Sequence, residues 1–368
     1  MSSCWGNQIK LTIFGESHGT AIGGVIDGLP PGLTIDFDEV GFQMKRRAPG
    51  QHQWSTHRHE TDEWELLSGM FQGKTTGTPL AFQIRNRDQK SKAYAELNIV
   101  PRPSHADFTG NVRYHGYQDY RGGGHFSGRL TAPLVFAGAV ARQVLATKNI
   151  QIGGHIRTIG TLSDTRFNPI DPASHLFREV ALKQFPVIDD TAGDQMKALI
   201  ESARKDCDSV GGTVEAAIIG VPAGIGSPIF DALESSMASI LFAIPAVKGV
   251  SFGDGFDITT LRGSQANDQY DQMDDQRNLT TSSNHNGGIL GGITSGMPIL
   301  LNVAFKPTAS IAKPQQSINM RTGEQTKLIV KGRHDPCIVP RAVPVVEAAM
   351  AFSLLDSICQ IKGLEYWS

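Results

Sequence analysis

The sequence is short of several features that define large classes of protein. Its four cysteines are scattered, with no Cys-x-x-Cys pair, which argues against a zinc ribbon or a disulfide scaffold. No apolar run reaches the ~18 residues of a membrane helix, and the N-terminus lacks a basic stretch followed by an apolar one. A net charge of −2 excludes a strongly basic nucleic-acid binder. We therefore expect a cytoplasmic protein that contacts neither membrane nor nucleic acid.

The chain is long and rich in glycine. Its 368 residues, 40% of them hydrophobic, exceed the ~250–300 residues at which single cores usually stop growing. We therefore expect two domains or one large layered domain. The 40 glycines favour positive φ angles and close backbone approaches to a ligand, although tight turns between strands would also use them.

Three patterns occur twice, in the same order. The first two pairs share glycine and proline positions, and they are residues 25–32 with 217–224 and 69–79 with 288–298. The third pair, 131–141 with 342–351, shares proline and alanine positions. One such match is easily produced by chance, but three in order indicate a duplication. The sequence therefore predicts two similar halves, about 1–150 and 205–365, joined by a variable connector over about 151–204. We expect them to form one domain over 1–368, with an internal two-fold pseudo-repeat.

Strand and helix patterns alternate along both halves. Strands are predicted near 8–15, 21–28, 64–72, 78–86, 212–221, 248–254, 288–295 and 298–305, and helices near 36–47, 128–147, 193–207, 230–243 and 341–360. Tight turns between neighbouring strands favour antiparallel pairing and an α+β fold. No Gly-x-Gly-x-x-Gly lies between a strand and a helix, so a dinucleotide-binding fold is poorly supported.

Residues 45–129 form a locally cationic stretch, with 13 basic residues against eight acidic ones and six of the 11 histidines. Arginine forks match the oxygens of phosphates and carboxylates, so the stretch is typical of a site for a multiply anionic small molecule. A solvated basic face is the alternative. An RNA-binding interpretation would cite Arg121 and the glycines after it, but aromatic residues make up only 7% of the chain.

Three short segments carry candidate catalytic groups. Residues 15–19 (Gly-Glu-Ser-His-Gly) follow a strand pattern, residues 101–107 (Pro-Arg-Pro-Ser-His-Ala-Asp) form a stiff loop, and residues 331–336 (Lys-Gly-Arg-His-Asp-Pro) precede the last helix. An ordinary turn, a surface polyproline segment and a helix N-cap are the respective alternatives. The histidines lack the spacing of a zinc site, so we expect no metal.

Taken together, these segments resemble the chorismate synthase family over nearly the whole chain. The motifs that carry the resemblance lie at residues 15–19, 27–32, 46–51, 67–69, 73–79, 102–107, 119–124, 246–249, 253–256, 262–265, 284–292, 306–308 and 333–337. Each is short, but all occur in the family's order.

The resemblance implies an activity, a cofactor and partners. In this family, 5-enolpyruvylshikimate 3-phosphate loses phosphate and a ring hydrogen in an anti-1,4-elimination that gives chorismate, in the pathway to the aromatic amino acids. Reduced FMN is required although the reaction is redox-neutral. The resemblance further implies a homotetramer, a subunit with helices between two antiparallel sheets, and an external flavin reductase. NADPH would be needed only by a bifunctional member of the family.

The resemblance also assigns roles to residues. His18 matches the histidine that acts on the reduced flavin, His105 the one that protonates the departing phosphate, and Asp335 the carboxylate that helps remove the ring proton, with Ser17 and Ser127 as supporting hydroxyls. The implied cofactor-binding residues are His125, Phe126, Ser127, Gly288, Lys306, Thr308, Ala309, Ser310 and Arg333. The implied substrate-binding residues are Arg46, Arg47, Arg102, Arg129 and Arg333.

The sequence departs from the usual family pattern at several positions. His125, Phe126 and Leu130 stand where Arg, Ser and Glu are usual, Gln53 where an Arg is usual, and Pro245 where an Asn is usual. These changes bear on flavin affinity. The main alternative function is a non-catalytic paralogue that binds flavin or a phosphorylated metabolite. It is disfavoured because His18, His105 and Asp335 are all present.

Overall fold

The computed structural model describes residues 3–50, 60–87, 97–275, 279–330 and 335–367. Helices and strands are mixed along the chain, as predicted. The helices are α1 (Phe37–Arg47), α2 (Asp107–Arg113), α3 (Thr131–Ala146), α4 (Ser174–Leu182), α5 (Asp190–Lys205), α6 (Leu233–Phe242), α7 (Gly263–Ala266) and α8 (Val339–Lys362).

Most strands belong to one of two antiparallel sheets, and the others form short hairpins. The strands are β1 (Cys4–Trp5), β2 (Lys10–Gly15), β3 (Ala21–Asp27), β4 (Trp64–Leu66), β5 (Met70–Phe71), β6 (Lys74–Thr75), β7 (Leu80–Arg85), β8 (Gln151–Ile159), β9 (Leu162–Ser163), β10 (Gly212–Ile219), β11 (Val247–Phe252), β12 (Tyr270–Met273), β13 (Leu279–Thr281), β14 (Ile289–Leu290), β15 (Ile293–Thr294), β16 (Ile299–Phe305), β17 (Gln315–Ile318) and β18 (Gln325–Leu328).

The first sheet has the strand order β1-β2-β3-β7-β4. In its centre Ile22 of β3 lies opposite Ile84 of β7, and both are fully buried. Phe82 of β7 stacks on Phe136 of α3, with ring centroids 3.8 Å apart, so one sheet face is sealed by this helix. The predicted strands 8–15, 21–28 and 78–86 are confirmed. The predicted strand 64–72 is instead split into β4 and β5 by a turn at residues 67–69.

The second sheet has the order β11-β16-β10-β8-β9. Strand β8 lies in the stretch that we predicted to be a connector, yet it pairs with β10 along its length and is an integral strand. Its Gly153 and Gly154 are poor strand formers, which hid it from pattern analysis. The predicted strand 288–295 is instead the hairpin β14–β15.

Two hairpins in the two halves of the chain make the same hydrogen bonds. The hydroxyl of Thr75 in β6 donates to the carbonyl oxygen of Pro30 at 2.7 Å, and that of Thr294 in β15 donates to the carbonyl oxygen of Pro222 at 2.7 Å. Each hydroxyl also accepts a hydrogen bond, 2.9 Å long, from the backbone N–H three residues after its own proline partner. Equivalent positions of the repeated sequence patterns therefore have equivalent local structures.

Helices α3 and α8 pack against each other in the core. A Cβ on Gly138 of α3 would collide with Ala348 of α8, so the glycine lets the two backbones approach closely. Helix α3 also contacts β2 and β3 of the first sheet, while α8 contacts β8 and β10 of the second. One cluster of buried apolar residues runs from Ile9 to Trp367 through both sheets.

Helix α8 is long and apolar enough to cross a membrane by length and composition, with a mean hydropathy of 1.6 over its most apolar window. This apolar stretch is not evident as a continuous run in the sequence, because Arg341, Glu347 and Asp356 interrupt it. That window is entirely buried inside the protein, as expected of a core helix.

A buried histidine lies between two carboxylates in the second sheet. His155 of β8 is fully buried, and its two ring nitrogens contact Asp164 at 2.9 Å and Glu215 at 2.8 Å. Burial opposes the charged form, but hydrogen bonds to both carboxylates outweigh it and raise the pKa of His155. Asp164 also accepts backbone N–H groups of Ile188 and Asp189. The cluster thus joins the chain before α5 to the sheet.

Because the folded pKa of His155 is raised, its contribution to stability is complete below the ordinary value of 6.5 and is lost as the pH rises through the folded pKa. We expect His155→Gln to lower the melting temperature most near about pH 6 and progressively less toward about pH 9. Thermal unfolding at a series of pH values measures this, with His175→Gln, at an exposed position of α4, as the control. A pH-independent difference would contradict the charged cluster.

Candidate active site

A cavity of about 600 Å³ opens between loops of the two halves, a size typical of small-molecule sites. Its walls contain most of the predicted site residues: Arg47, Arg102, His105, His125, Phe126, Ser127, Arg129, Lys306, Thr308, Ala309, Ser310 and Asp335. They come from the end of α1, the loop before α2, the segment before α3, the chain after β16 and the chain just before α8. Tertiary structure therefore brings together groups that lie almost 300 residues apart.

Two predicted residues lie away from the cavity. Arg46 turns away from the cavity and donates to buried Glu347 of α8 at 2.5 and 3.1 Å, so the structure does not place it at a substrate. Gly288 lines a separate small cavity beside Asn284, whose side-chain oxygen accepts its N–H at 2.8 Å. Arg333 lies outside the described residues.

Ser17 and His18 lie behind the cavity wall, on a turn held by the glycine run before α3. Gly122 lines the cavity, and a Cβ on it would lie 2.6 Å from Nε2 of His18 and 3.1 Å from Oγ of Ser17. All three glycines, 122–124, have positive φ, a region that L side chains rarely adopt. Gly124 accepts the N–H of Ser17 at 3.1 Å. The glycines therefore leave room for the serine–histidine turn.

Arg102 and His105 share one carboxylate. Arg102 donates from Nε and Nη2 to the two oxygens of Asp107 at 2.8 and 2.7 Å, and from Nη1 to Ser310 at 2.9 Å. Nδ1 of His105 lies 2.7 Å from Asp107. Burial opposes ionisation, but hydrogen bonds from Arg102 and His105 hold the pKa of Asp107 well below its usual range. The carboxylate therefore stays ionised and fixes both cavity-lining side chains.

Asp62, which no sequence motif marks as a site residue, joins two further arginines. Its buried carboxylate accepts from Nε of Arg47 at 3.1 Å and from Nη2 of the same guanidinium, and its other oxygen accepts from Nη1 of Arg129. Burial, with the neighbouring positive charges of Arg341 and Arg129, lowers the pKa of Arg47 to about 10. Arg47 is still a cation at neutral pH.

Arg341 is a cavity residue that the sequence interpretation missed. It lies in the first turn of α8, lines the cavity, and donates from Nη1 to Asp335 at 2.7 Å. Its Nε donates to the backbone oxygen of Arg47 at 3.0 Å. Arg341 is the first residue of the helix predicted at 341–360, but this position alone does not show that its side chain reaches the preceding loop. Arg341 fixes the candidate proton acceptor.

The chain around Lys306 and Thr308 forms the opposite wall. Nζ of Lys306 donates to the backbone oxygen of Ser104 at 2.7 Å, and burial, together with the charge of Lys248, lowers the pKa of this amine. Oγ1 of Thr308 is buried without a hydrogen-bond partner. A bound polar group would satisfy this hydroxyl, which fits a cofactor at this wall.

His125 occupies the position where the family usually has an arginine. Its Nδ1 donates to the backbone oxygen of Gly15 at 2.8 Å, and its Nε2 lies 3.1 Å from Oγ of Ser3. The imidazole therefore ties the glycine run to the end of β2, next to the turn that carries His18. Both ring nitrogens are engaged with the protein itself.

Fold and cavity together indicate a class of protein: one of mixed helices and sheets, with an arginine-lined cavity that suits a small, multiply anionic molecule. The sequence model of the family described as Chorismate synthase matches residues 9–359. The chain is 45% identical to the chorismate synthase of Thermococcus gammatolerans over 361 residues, 98% of each chain. It is also 45% identical to that of Christiangramia forsetii over 360 residues, 98% of each.

A solved structure described as a crystal structure of chorismate synthase has the same fold, with a TM-score of 0.78 and 26% identity over 98% of this chain and 96% of that one. The chain therefore belongs to the chorismate synthase family. Its activity is the lyase reaction of that family, in the shikimate pathway that leads to the aromatic amino acids.

Gly122→Ala should lower chorismate formation on the order of 10²-fold, because the new methyl group displaces the His18 ring and small misplacements of catalytic groups have effects of this size. Steady-state kinetics with saturating substrate and reduced flavin measures the loss. Gly128→Ala is the matched control, since a Cβ there meets no atom within 4 Å. Equal activities of the two variants would contradict the contact with His18.

Proposed function

We propose that the cavity binds 5-enolpyruvylshikimate 3-phosphate and that the chain converts it to chorismate and phosphate by an anti-1,4-elimination. The observation that carries this proposal is that three cavity arginines are paired with buried carboxylates and that His105 lines the same cavity. Arg102 pairs with Asp107, which also contacts His105. Arg47 and Arg129 pair with Asp62. The substrate carries one phosphate and two carboxylates. Guanidinium groups offset the cost of removing such anions from water.

Arg47, Arg102 and Arg129 hold the anionic groups of the substrate in this proposal. Nη2 of Arg129 is buried without a hydrogen-bond partner, 3.8 Å from Glu60, so a donor is available for a substrate oxygen. Side chains fixed before binding lose little further conformational freedom when the substrate arrives. The arginines then orient the scissile carbon–oxygen bond.

His105 protonates the departing phosphate. Asp107 contacts Nδ1 of its ring, and the Cε1–Nε2 edge of the ring lies beside Gly123. The carboxylate fixes the ring orientation, as in other histidine–carboxylate pairs used for acid catalysis. As the carbon–oxygen bond to phosphate breaks, the new oxyanion takes this proton, with Ser17 and Ser127 as supporting hydroxyls.

Asp335 receives the ring proton, so the broken carbon–hydrogen bond leaves its electron pair in the new double bond of chorismate. Arg341 holds this carboxylate at 2.7 Å. Reduced FMN, when bound, supplies an electron transiently with no net redox change. The residues that would hold it are Phe126, Lys306, Thr308, Ala309 and Ser310 in the cavity, with His18, His125, Gly288 and Arg333 as further predicted contacts.

The orphaned hydroxyl of Thr308 supports the cofactor assignment. A non-catalytic flavin-binding paralogue would need the cationic walls but not the acid and base. The retention of His18, His105 and Asp335, each in or beside the cavity, therefore favours an enzyme. An external reductase supplies reduced flavin in this proposal, and we propose a cytoplasmic homotetramer.

We further propose that residues 1–368 form one domain with a two-fold pseudo-repeat and with helices between its two sheets. The equivalent hydrogen bonds of Thr75 and Thr294 support the repeat. The contacts of α3 with the first sheet and of α8 with the second support the layered arrangement. The shared core from Ile9 to Trp367 supports a single domain.

An anaerobic assay tests the function. Purified protein is mixed with photoreduced FMN and 5-enolpyruvylshikimate 3-phosphate, and chorismate absorbance and phosphate release are followed together. Equal amounts of both products support the proposal, whereas flavin binding without product would favour the paralogue. Replacing photoreduction by NADPH then tests whether the chain needs an external reductase.

His105→Ala should lower turnover by about 10²–10⁴-fold, the usual contribution of a general acid, while the affinity for reduced FMN changes little. Turnover is measured in the anaerobic assay and flavin affinity by fluorescence titration. His175→Ala, on the exposed face of α4, is the control. Unchanged turnover would remove the acid role of His105, and an equal loss of flavin affinity would assign the residue to the cofactor instead.

A further inference from the structure

Asp62 stands behind the cavity wall. It is 2% exposed and is not among the residues that line the cavity, whereas Arg47 and Arg129, the two residues it binds, both are. Its φ is +53°, in the left-handed region that aspartate and asparagine tolerate better than most residues. The segment before β4 thus places the Asp62 carboxylate against the guanidinium groups of Arg47 and Arg129.

The two oxygens of Asp62 are divided between the two arginines. Oδ2 accepts from Arg47 and Oδ1 from Arg129. A carboxylate is rigid and planar, so this division fixes the spacing of the two guanidiniums as well as their orientation. Neutral groups complete the frame: Thr131 accepts from Nη1 of Arg47 at 3.4 Å, and Asn86 accepts from Nε of Arg129 at 3.1 Å.

The pair keeps one unused donor beside the cavity that both arginines line. Nη2 of Arg129 has no hydrogen-bond partner, although the buried carboxylate of Glu60 lies 3.8 Å from it and forms an ion pair with the guanidinium. Asp62 and Glu60 together balance the charges of Arg47 and Arg129, so neither cation is buried without a counter-charge. The hydrogen-bonding capacity of Nη2 is what remains for an oxygen of the substrate.

We propose that Asp62 is a positioning residue for substrate binding: it sets the spacing of Arg47 and Arg129 and so determines the affinity for the anionic substrate. It does not touch the reacting atoms. This inference rests on the proposed function of the cavity. It predicts that replacing Asp62 raises KM and the substrate Kd more than it changes kcat or the affinity for flavin.

The test is Asp62→Asn. The amide keeps the shape of the side chain and tolerates the positive φ, but its NH₂ group faces a guanidinium, so one arginine loses its anchor. We expect KM and the calorimetric Kd for 5-enolpyruvylshikimate 3-phosphate to rise about 10- to 100-fold, with kcat within about threefold and reduced-FMN affinity unchanged. Glu63→Gln, which alters the neighbouring exposed pair with Arg87, is the matched control.

The outcomes separate the two proposals. Wild-type protein that neither binds nor converts the substrate overturns the function, whereas active wild type with an unchanged KM in Asp62→Asn overturns the role of Asp62. A fall in kcat without a rise in KM also overturns it. If Asp62→Asn does not fold, Asp62→Glu, which keeps the charge but moves it by one methylene, should show the raised KM. If neither variant folds, Asp62 has a structural role and the proposed positioning role is overturned.

Discussion

Buried ion pairing between arginines and carboxylates is the constraint on which the site depends. A cavity that receives a polyanion needs several guanidiniums out of bulk water, and an unpaired buried charge is strongly destabilising. Asp107 meets Arg102, Asp62 meets both Arg47 and Arg129, and Asp335 meets Arg341. The carboxylates offset the burial of these guanidiniums, and all four arginines line the cavity.

These polar contacts also join parts of the chain that are distant in sequence. Arg102 donates to Ser310, 208 residues away, and Lys306 donates to the backbone oxygen of Ser104, 202 residues away. Arg341 donates to the backbone oxygen of Arg47, 294 residues away. The cavity is therefore the junction of loops from both halves, and its geometry depends on how the two sheets are held together.

The apolar core holds the two sheets together. Gly138 lets α3 and α8 approach closely, and Phe136 seals the first sheet through Phe82. The N-terminal ends of these two helices reach the cavity, where Thr131 and Arg341 line its wall. Packing far from the site thus decides where the arginines and the candidate proton acceptor meet, because close-packed helices transmit small shifts with little loss.

The sequence by itself determined the family, most strands and helices, and the main candidate acid, base and arginines. These could be predicted because each depends on a short run of neighbouring residues with glycines and charges at set positions. It could not show β8, whose Gly153 and Gly154 weaken the strand pattern, since that strand depends on pairing with β10.

Tertiary structure alone decided which of the adjacent arginines faces the cavity. Arg46 and Arg47 are adjacent in α1 and therefore point in different directions. Arg46 pairs with Glu347, whereas Arg47 pairs with Asp62. The roles of Asp62 and Arg341 were equally hidden, because a buried ion pair is a property of distance in space, which the order of residues does not record.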